Sequence, residues 1–157
     1  MSQQDSRAGF RPDAPPETLD DDPPLRTVVS PRLVAVTPQT PVRTALDLML
    51  AHDVHHLPVF AGPRCTGLVT ESDLLRGVAA QWGPLGRSVL TVAEVHGPVT
   101  VLPSSAPLSA AAAAMAADGR DAVLVADGDR IDGIVTASDV VGVVARRAGP
   151  TTPRPAG

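Results

Sequence analysis

One short stretch of the chain occurs twice. TGLVTESDLL (66–75) returns as DGIVTASDVV (132–141) at an offset of 66, so that Gly67, Val69, Thr70, Ser72 and Asp73 recur as Gly133, Val135, Thr136, Ser138 and Asp139. This self-similarity constrains the fold more than any other feature, because each copy must be one supersecondary unit that buries its apolar surface with its neighbour. Upstream, VAVTPQTPVRTAL (34–46) matches VTVLPSSAPLSAA (99–111) at an offset of 65, slipping to 66 by Pro41 and Pro107. A one-residue insertion in the loop of the second copy accounts for that slip.

Each copy has the same order of elements. A β-rich piece (Leu33–Val36; Val99–Leu102) precedes a proline-containing turn, and a helix opens near Pro41 or Pro107, where proline's fixed φ suits a first turn. Two apolar strands follow, Leu57–Phe60 with Gly67–Val69 and Val123–Val125 with Gly133–Val135, with Gly62 and Gly128 in the turns between them. A second helix starts at Thr70 or Thr136. The fold class is α+β, two β-α-β-β-α repeats packed about a pseudo-two-fold axis. The expected layout is an acidic, Pro-rich disordered tail (1–27), repeat 1 (28–80), a linker (81–90) holding Trp82, repeat 2 (91–146) and a disordered Pro, Gly and Thr tail (147–157).

Composition removes several function classes. Much of the net charge of −4 lies in the first tail, where Asp5, Asp13, Glu17, Asp20, Asp21 and Asp22 face Arg7, Arg11 and Arg26. The repeats carry no basic stripe for counterion release on nucleic acid, and with no Tyr, 2 Phe and 1 Trp there is little to stack bases on. All 13 basic residues are arginine, which excludes a catalytic or P-loop lysine and leaves the planar guanidinium as the reader of phosphate or carboxylate. Cys65 is the only cysteine, so neither an internal disulfide nor a Cys-rich zinc site is available; opposite Ile131 in the repeat, it reads as a small core residue. No apolar run approaches the roughly 20 residues that span a bilayer. MSQQDSRAGF has no signal-peptide core. The expected compartment is the cytoplasm, without nucleic-acid or membrane partners.

Thr70 and Asp73 stand where a strand becomes a helix. The spacing is a variant of the S/T-x-x-E capping box, with threonine at N-cap and aspartate at N3, and Thr136 and Asp139 repeat it. Satisfying orphan amides is a sufficient reason for both pairs, at roughly 0.5–2 kcal/mol per cap. The same geometry also offers an anion or sugar site, since a helix N-terminus carries free N–H groups and partial positive charge. A carboxylate held there can accept hydrogen bonds from both hydroxyls of a ribose.

HHLPV, GLVTESDLL and VTVLPSSAPLSAAAAAM…GRDAVLVADGDRIDGIVTASDVV together resemble the CBS domain, and the tandem resembles a CBS pair (a Bateman module) over about residues 28–146. The resemblance implies a stand-alone regulatory module, not an enzyme. Its clefts would take an adenosine nucleotide (AMP, ADP, ATP) or another adenosyl compound as effector, with no cofactor required. It implies ligand-binding roles for Thr37, His55, His56, Leu57, Pro58, Thr70, Ser72 and Asp73 around one cleft, and for Val123, Leu124, Thr136, Ser138 and Asp139 around the other. It also implies a homodimer, which the small side chains of SAAAAAMAA (109–117) suit, and relay of the signal to a separate protein partner. The competing reading is a structural or interaction module with degenerate clefts that bind no nucleotide.

His52, His55 and His56 would share a helical face only if the helix ran through His56, and Pro58 argues that it stops sooner. The resemblance puts His55 and His56 at the border of the ligand cleft and leaves His52 facing solvent in the last helical turn. A transition metal on two or three imidazoles is the other chemistry open to them. Repeat 2 has Asp118, Asp121 and Ala122 at these positions, so the clefts are not equivalent, and the first is expected to be the better adenosyl site. Arg120 reads either as a phosphate contact or as a solvated loop residue.

Overall fold

Apolar runs in the paired strand segments close two hairpins with the same register. β1 (His56–Ala61) pairs antiparallel with β2 (Arg64–Thr70) from His56↔Thr70 to Ala61↔Arg64, and β4 (Ala122–Asp127) pairs with β5 (Arg130–Thr136) from Ala122↔Thr136 to Asp127↔Arg130. Both ladders are interrupted at one place, after Val59 and after its counterpart Val125. Gly62 (φ 61°) and Gly128 (φ 60°) supply the left-handed residue each turn needs. The computed structural model describes residues 22–81 and 90–149. Trp82, most of the expected linker and the outer tails lie outside them.

Helices flank each hairpin. In repeat 1, α1 (Val42–His52) precedes β1 and α2 (Glu71–Ala80) follows β2. Repeat 2 opens with α3 (Val92–Val95) and β3 (Val101–Pro103), followed by α4 (Leu108–Asp118) before β4 and α5 (Ala137–Ala148) after β5. Pro41 and Pro107 sit at the N-caps of α1 and α4. α1 stops at His52 because Asp53 adopts a left-handed C-cap (φ 52°), a conformation Asp tolerates better than most residues; Gly119 (φ 61°) ends α4 the same way. The three histidines therefore share no helical face.

The first strand of the two repeats differs for a covalent reason. In repeat 2, β3 lies parallel to β4, with Leu102 opposite Val125. The Leu124 N–H donates to the Thr100 carbonyl (3.0 Å) and the Ser104 N–H to the Ala126 carbonyl (2.9 Å). The corresponding donors in repeat 1 are Pro58 and Pro38, which have no N–H. There the strand shrinks to one parallel bridge, Val36↔Val59. These pairings also correct the expected register. Val36 corresponds to Leu102 at an offset of 66, and no insertion follows it.

The segment preceding each repeat packs into the other repeat. A 3₁₀ turn, Leu25–Thr27, seats the fully buried Leu25 among Leu108, Met115, Val123 and Val135 of repeat 2. Its Leu25 N–H donates to the Ala106 carbonyl (2.8 Å), and Ser30 bridges Ile134. In return, α3 seats Val92 among Val42, Leu57 and Leu74 of repeat 1, the Val92 N–H donates to the Thr40 carbonyl (2.8 Å), and Gly97 bridges Leu68. These contacts correspond at an offset of 67, so the extra residue lies in repeat 1, between Ser30 and Val36. Residues 22–27, expected to be disordered tail, are instead docked, and Asp22 accepts a hydrogen bond from the Ser109 N–H (2.9 Å) in the first turn of α4.

The crossing explains the repeated glycine. A Cβ at Gly67 would stand 2.4 Å from the Gly97 carbonyl oxygen, and one at Gly133 would stand 2.1 Å from that of Ser30. Both strands are buried on both faces. Leu57 and Val59, like Val123 and Val125, face their own helices, while Leu68, Ala122, Leu124 and Ile134 form the core between repeats, with Cys65 and Ile131 at its edge.

Candidate functional site

The register of the fold carries the N-terminus of α2 from repeat 1 to the C-terminus of α4 from repeat 2. Thr70 caps α2 as expected. Its Oγ1 accepts from the Asp73 N–H (3.1 Å) and the Asp73 carboxylate accepts from the Thr70 N–H (3.0 Å). α5 repeats the arrangement, with the Thr136 N–H donating to Asp139 (2.8 Å) and the Asp139 N–H to Thr136 Oγ1 (3.4 Å). Both capping boxes are complete.

A cleft of about 500 Å³ opens at the first of them. Repeat 1 contributes Thr70, Ser72, Asp73 and Arg76 to its lining, and repeat 2 contributes Met115, Ala116, Gly119, Arg120 and Asp121. Asp73 is only 7% exposed. A carboxylate buried to that extent is tolerated because cations meet it. Arg76 Nη2 donates to Oδ1 (2.6 Å), and Arg120 Nη1 stands 3.7 Å from Oδ2. Gly119 closes the α4 end without a side chain. Chemically, the cleft presents two carboxylates, two hydroxyls, two guanidinium groups and a positive helix end, a set suited to hydrogen bonding a polyol.

The second carboxylate has different neighbours. Asp139 is partly exposed, and the counterparts of Arg76 and Arg120 are Gly142 and Val54. The capping chemistry is shared by the two repeats, and the flanking charge is not.

The expected site residues divide into several groups. Thr70, Ser72 and Asp73 come together in the first cleft. His56 projects from β1 towards repeat 2, where its Nε2 lies 2.9 Å from Asp121 Oδ1 at the cleft border. His55 is exposed and pairs with Glu71 (2.7 Å). Thr37 is exposed and bonded to Thr40 (3.2 Å). Leu57 and Val123 are enclosed in their own repeats' cores, whereas Pro58 and Leu124 are buried at equivalent strand positions, Leu124 in the core between repeats. Thr136, Ser138 and Asp139 are together at the start of α5. No three His, Cys, Asp or Glu side chains among the described residues converge to hold a metal.

Burial pushes the Asp121 carboxyl up, but the hydrogen bond and charge of His56, with the charge of Arg120, outweigh it and hold the group below the ordinary carboxylate range. Burial likewise raises the Cys65 thiol, keeping it in its unreactive form.

Arg76 is the site residue the sequence does not single out; Arg120 has two readings there, and Asp121 stands only as the counterpart of His55. For Arg76 a signal existed, since it lies three positions beyond Asp73 on one helical face. Arg120 is no solvated loop arginine, being 21% exposed in the cleft wall. For Asp121 only the fold supplies the partner.

Two repeats that exchange their leading segments and share a polar cleft between them define a tandem binding module. The CBS domain profile matches residues 25–80 and 92–146, and the chain belongs to the CBS domain family. Among solved structures, it is similar to the CBS domain pair of protein MJ0100 in complex with 5′-methylthioadenosine and S-adenosyl-L-methionine (20% identity, 80% of this chain, 98% of that one, TM-score 0.70). It also resembles a protein with CBS domains from Burkholderia ambifaria MC40-6 (26%, 79% and 90%, TM-score 0.69). A third similar structure is the CBS domain of a bacterial CNNM/CorC family Mg2+ transporter in complex with ATP (20%, 82% and 90%, TM-score 0.68). No curated protein matches the chain.

Proposed function

We propose that the protein is a non-catalytic regulatory module whose first inter-repeat cleft binds an adenosine nucleotide or other adenosyl compound. The observation that carries this reading is the Asp73 carboxylate, fixed by its capping box in a cleft walled by both repeats. Held there, it is placed to accept hydrogen bonds from a ribose diol. Two of the similar structures hold adenosyl ligands, 5′-methylthioadenosine with S-adenosyl-L-methionine in one and ATP in the other. Because the cleft joins the repeats, a ligand that prefers one arrangement of them shifts their equilibrium, and a separate protein reads the shift. Exposed Leu75 on α2 and its repeat counterpart Val141 on α5, with Leu50 and Val144, give the helical faces an apolar surface that a second copy of the chain would cover. The site of action is the cytoplasm; no helix among the described residues is long and apolar enough to cross a membrane.

A thermal-shift series with AMP, ADP, ATP, 5′-methylthioadenosine and S-adenosyl-L-methionine tests the reading. Binding at a hundredfold excess over Kd stabilises by about 2.7 kcal/mol, and Asp73→Ala abolishes the rise while the protein still folds. If no compound raises the melting temperature, the reading is wrong. The competing reading, an interaction module with unoccupied clefts, draws on the engagement of Asp73 by Arg76 and Arg120, and the same series decides it.

A further inference from the structure

The first capping box does not leave its carboxylate free. The Thr70 N–H donates to Asp73 Oδ2 (3.0 Å), and Oδ1, the oxygen the cap leaves over, accepts from Arg76 Nη2 (2.6 Å). A diol entering the cleft therefore meets an acceptor already in use. Arg76 is 77% exposed, and Asp73 is its one hydrogen-bond partner among the described residues, so the tip alone holds a long, solvated side chain in place. Repeat 2 has no such contact. Thr136 bonds only Oδ2 of Asp139, and Gly142 stands in the place of Arg76.

A second carboxylate lies on the other side of Arg76. Gly77, Ala80, Leu90, Glu94 and Val95 line a hollow of about 320 Å³ whose remaining walls, Asp73 and Arg76, it shares with the cleft. α3 is pressed against α2 there, since a Cβ at Gly77 would stand 3.0 Å from Val95 Cγ1. Glu94 accepts the Thr91 N–H at Oε2 (2.8 Å), which leaves Oε1 to accept another bond. Arg76 thus stands between one carboxylate in the cleft and another on the segment that repeat 2 sends into repeat 1. A solvated ion pair is worth little, so a ligand that takes Oδ1 redirects the guanidinium at small cost.

We propose that Arg76 is a two-position switch, bonded to Asp73 in the ligand-free protein and to Glu94 once a ribose diol takes Oδ1, so that occupancy of the cleft is passed to α3. This rests on the nucleotide reading above, and it makes Arg76 a competitor of the ligand rather than a contact to it. Repeat 2 carries no equivalent, with Gly142 and Thr27 at the counterparts of Arg76 and Glu94.

Calorimetric titration of the full chain with adenosine, which offers the diol without a phosphate to attract cations, tests the switch. R76A is expected to bind adenosine about threefold more tightly than wild type, the scale of one solvated ion pair removed from competition. R76M, which keeps the aliphatic stem, is expected to match it. E94Q, which keeps a side chain able to cap Thr91, is expected to weaken adenosine by about twofold in wild type and to change nothing in R76A. Urea unfolding without ligand gives a second readout. In D73N, where the first position loses its charge, Arg76 and Glu94 are expected to become coupled by about threefold in the unfolding constant, a coupling absent with Asp73 in place. Melting curves establish that each variant is folded. If R76A and R76M bind adenosine no more tightly than wild type, or D73N brings no coupling, the switch falls and the nucleotide reading stands. If neither adenosine nor AMP binds any of these proteins, both fall.

Discussion

The two repeats share a backbone register and differ in what stands beside it. Thr70–Asp73 and Thr136–Asp139 form the same reciprocal cap. At Asp73 the cap is enclosed and flanked by Arg76 and Arg120, whereas Asp139 is partly exposed, with Gly142 and Val54 in those positions. Pro38 and Pro58 trim the first strand of repeat 1, where repeat 2 keeps a full parallel pairing. The comparison teaches that duplication preserves what the helix terminus needs to fold. The side chains around that terminus are free to differ, and at Asp73 they set the chemistry of the cleft.

The sharpest way to break the comparison is through the exchanged segments. Leu25 precedes repeat 1 in the chain but is wholly buried in repeat 2. Leu25→Ala is expected to cost about 3.5 kcal/mol, the middle of the range for a buried leucine. Hydrogen exchange should then quicken in α4 and β4 ahead of β1 and β2. Val92→Ala should produce the mirror image in repeat 1 with a smaller loss. Faster exchange in repeat 1 after Leu25→Ala would show that each segment packs on its own repeat.

The next effect comes from the motif glycines. Gly67→Ala and Gly133→Ala each force a methyl onto a crossing carbonyl, at an expected cost of about 2 kcal/mol in urea unfolding. Near-equal losses would support symmetric crossings. A cost confined to Gly133 would mean that the α3 segment yields more easily than the Leu25 segment.

Most of the repeat architecture was legible because it is written in local chemistry. Short apolar runs mark the strands, Pro41 and Pro107 mark helix starts, and the Thr-x-x-Asp spacing marks the second helices. Thr91-Val-Ala-Glu94 carries the same kind of signal, a capping box that opens α3 at the expected start of repeat 2. The crossing of segments was not legible, since Leu25 looks like any apolar residue near a Pro-rich tail, and only the fold shows which core it enters. The register of the first strand was misjudged for a related reason. Val-x-Val strings align equally well one residue apart, and pairing with β1 or β4 breaks the tie. The polar half of the site was read from Thr70, Ser72 and Asp73, but its cations come from a helical turn beyond the motif and from the opposite repeat.

The smallest effect concerns the one histidine–carboxylate pair that crosses between repeats among the described residues. His56 meets Asp121 at 2.9 Å, while His55, the counterpart of Asp121, turns back to Glu71 in its own repeat. The folded state holds the Asp121 carboxyl below its ordinary range, so folding favours the deprotonated form. The resulting stability is in full above the unfolded carboxylate pKa of about 4 and is lost as pH falls through the lower folded value. Asp121 is 64% exposed, so solvent screens the pair and the contribution should be about 0.5 kcal/mol. Asp121→Asn is accordingly expected to lower urea-unfolding stability by that amount near neutral pH, and the gap to wild type should narrow as pH falls below the unfolded carboxylate pKa of about 4. His55→Ala, which removes only an exposed pair within repeat 1, should leave stability unchanged to within a few tenths of a kcal/mol. A gap that persists undiminished in acid would show that Asp121 joins the repeats through its shape and hydrogen bonding, and that its charge contributes nothing to the asymmetry between them.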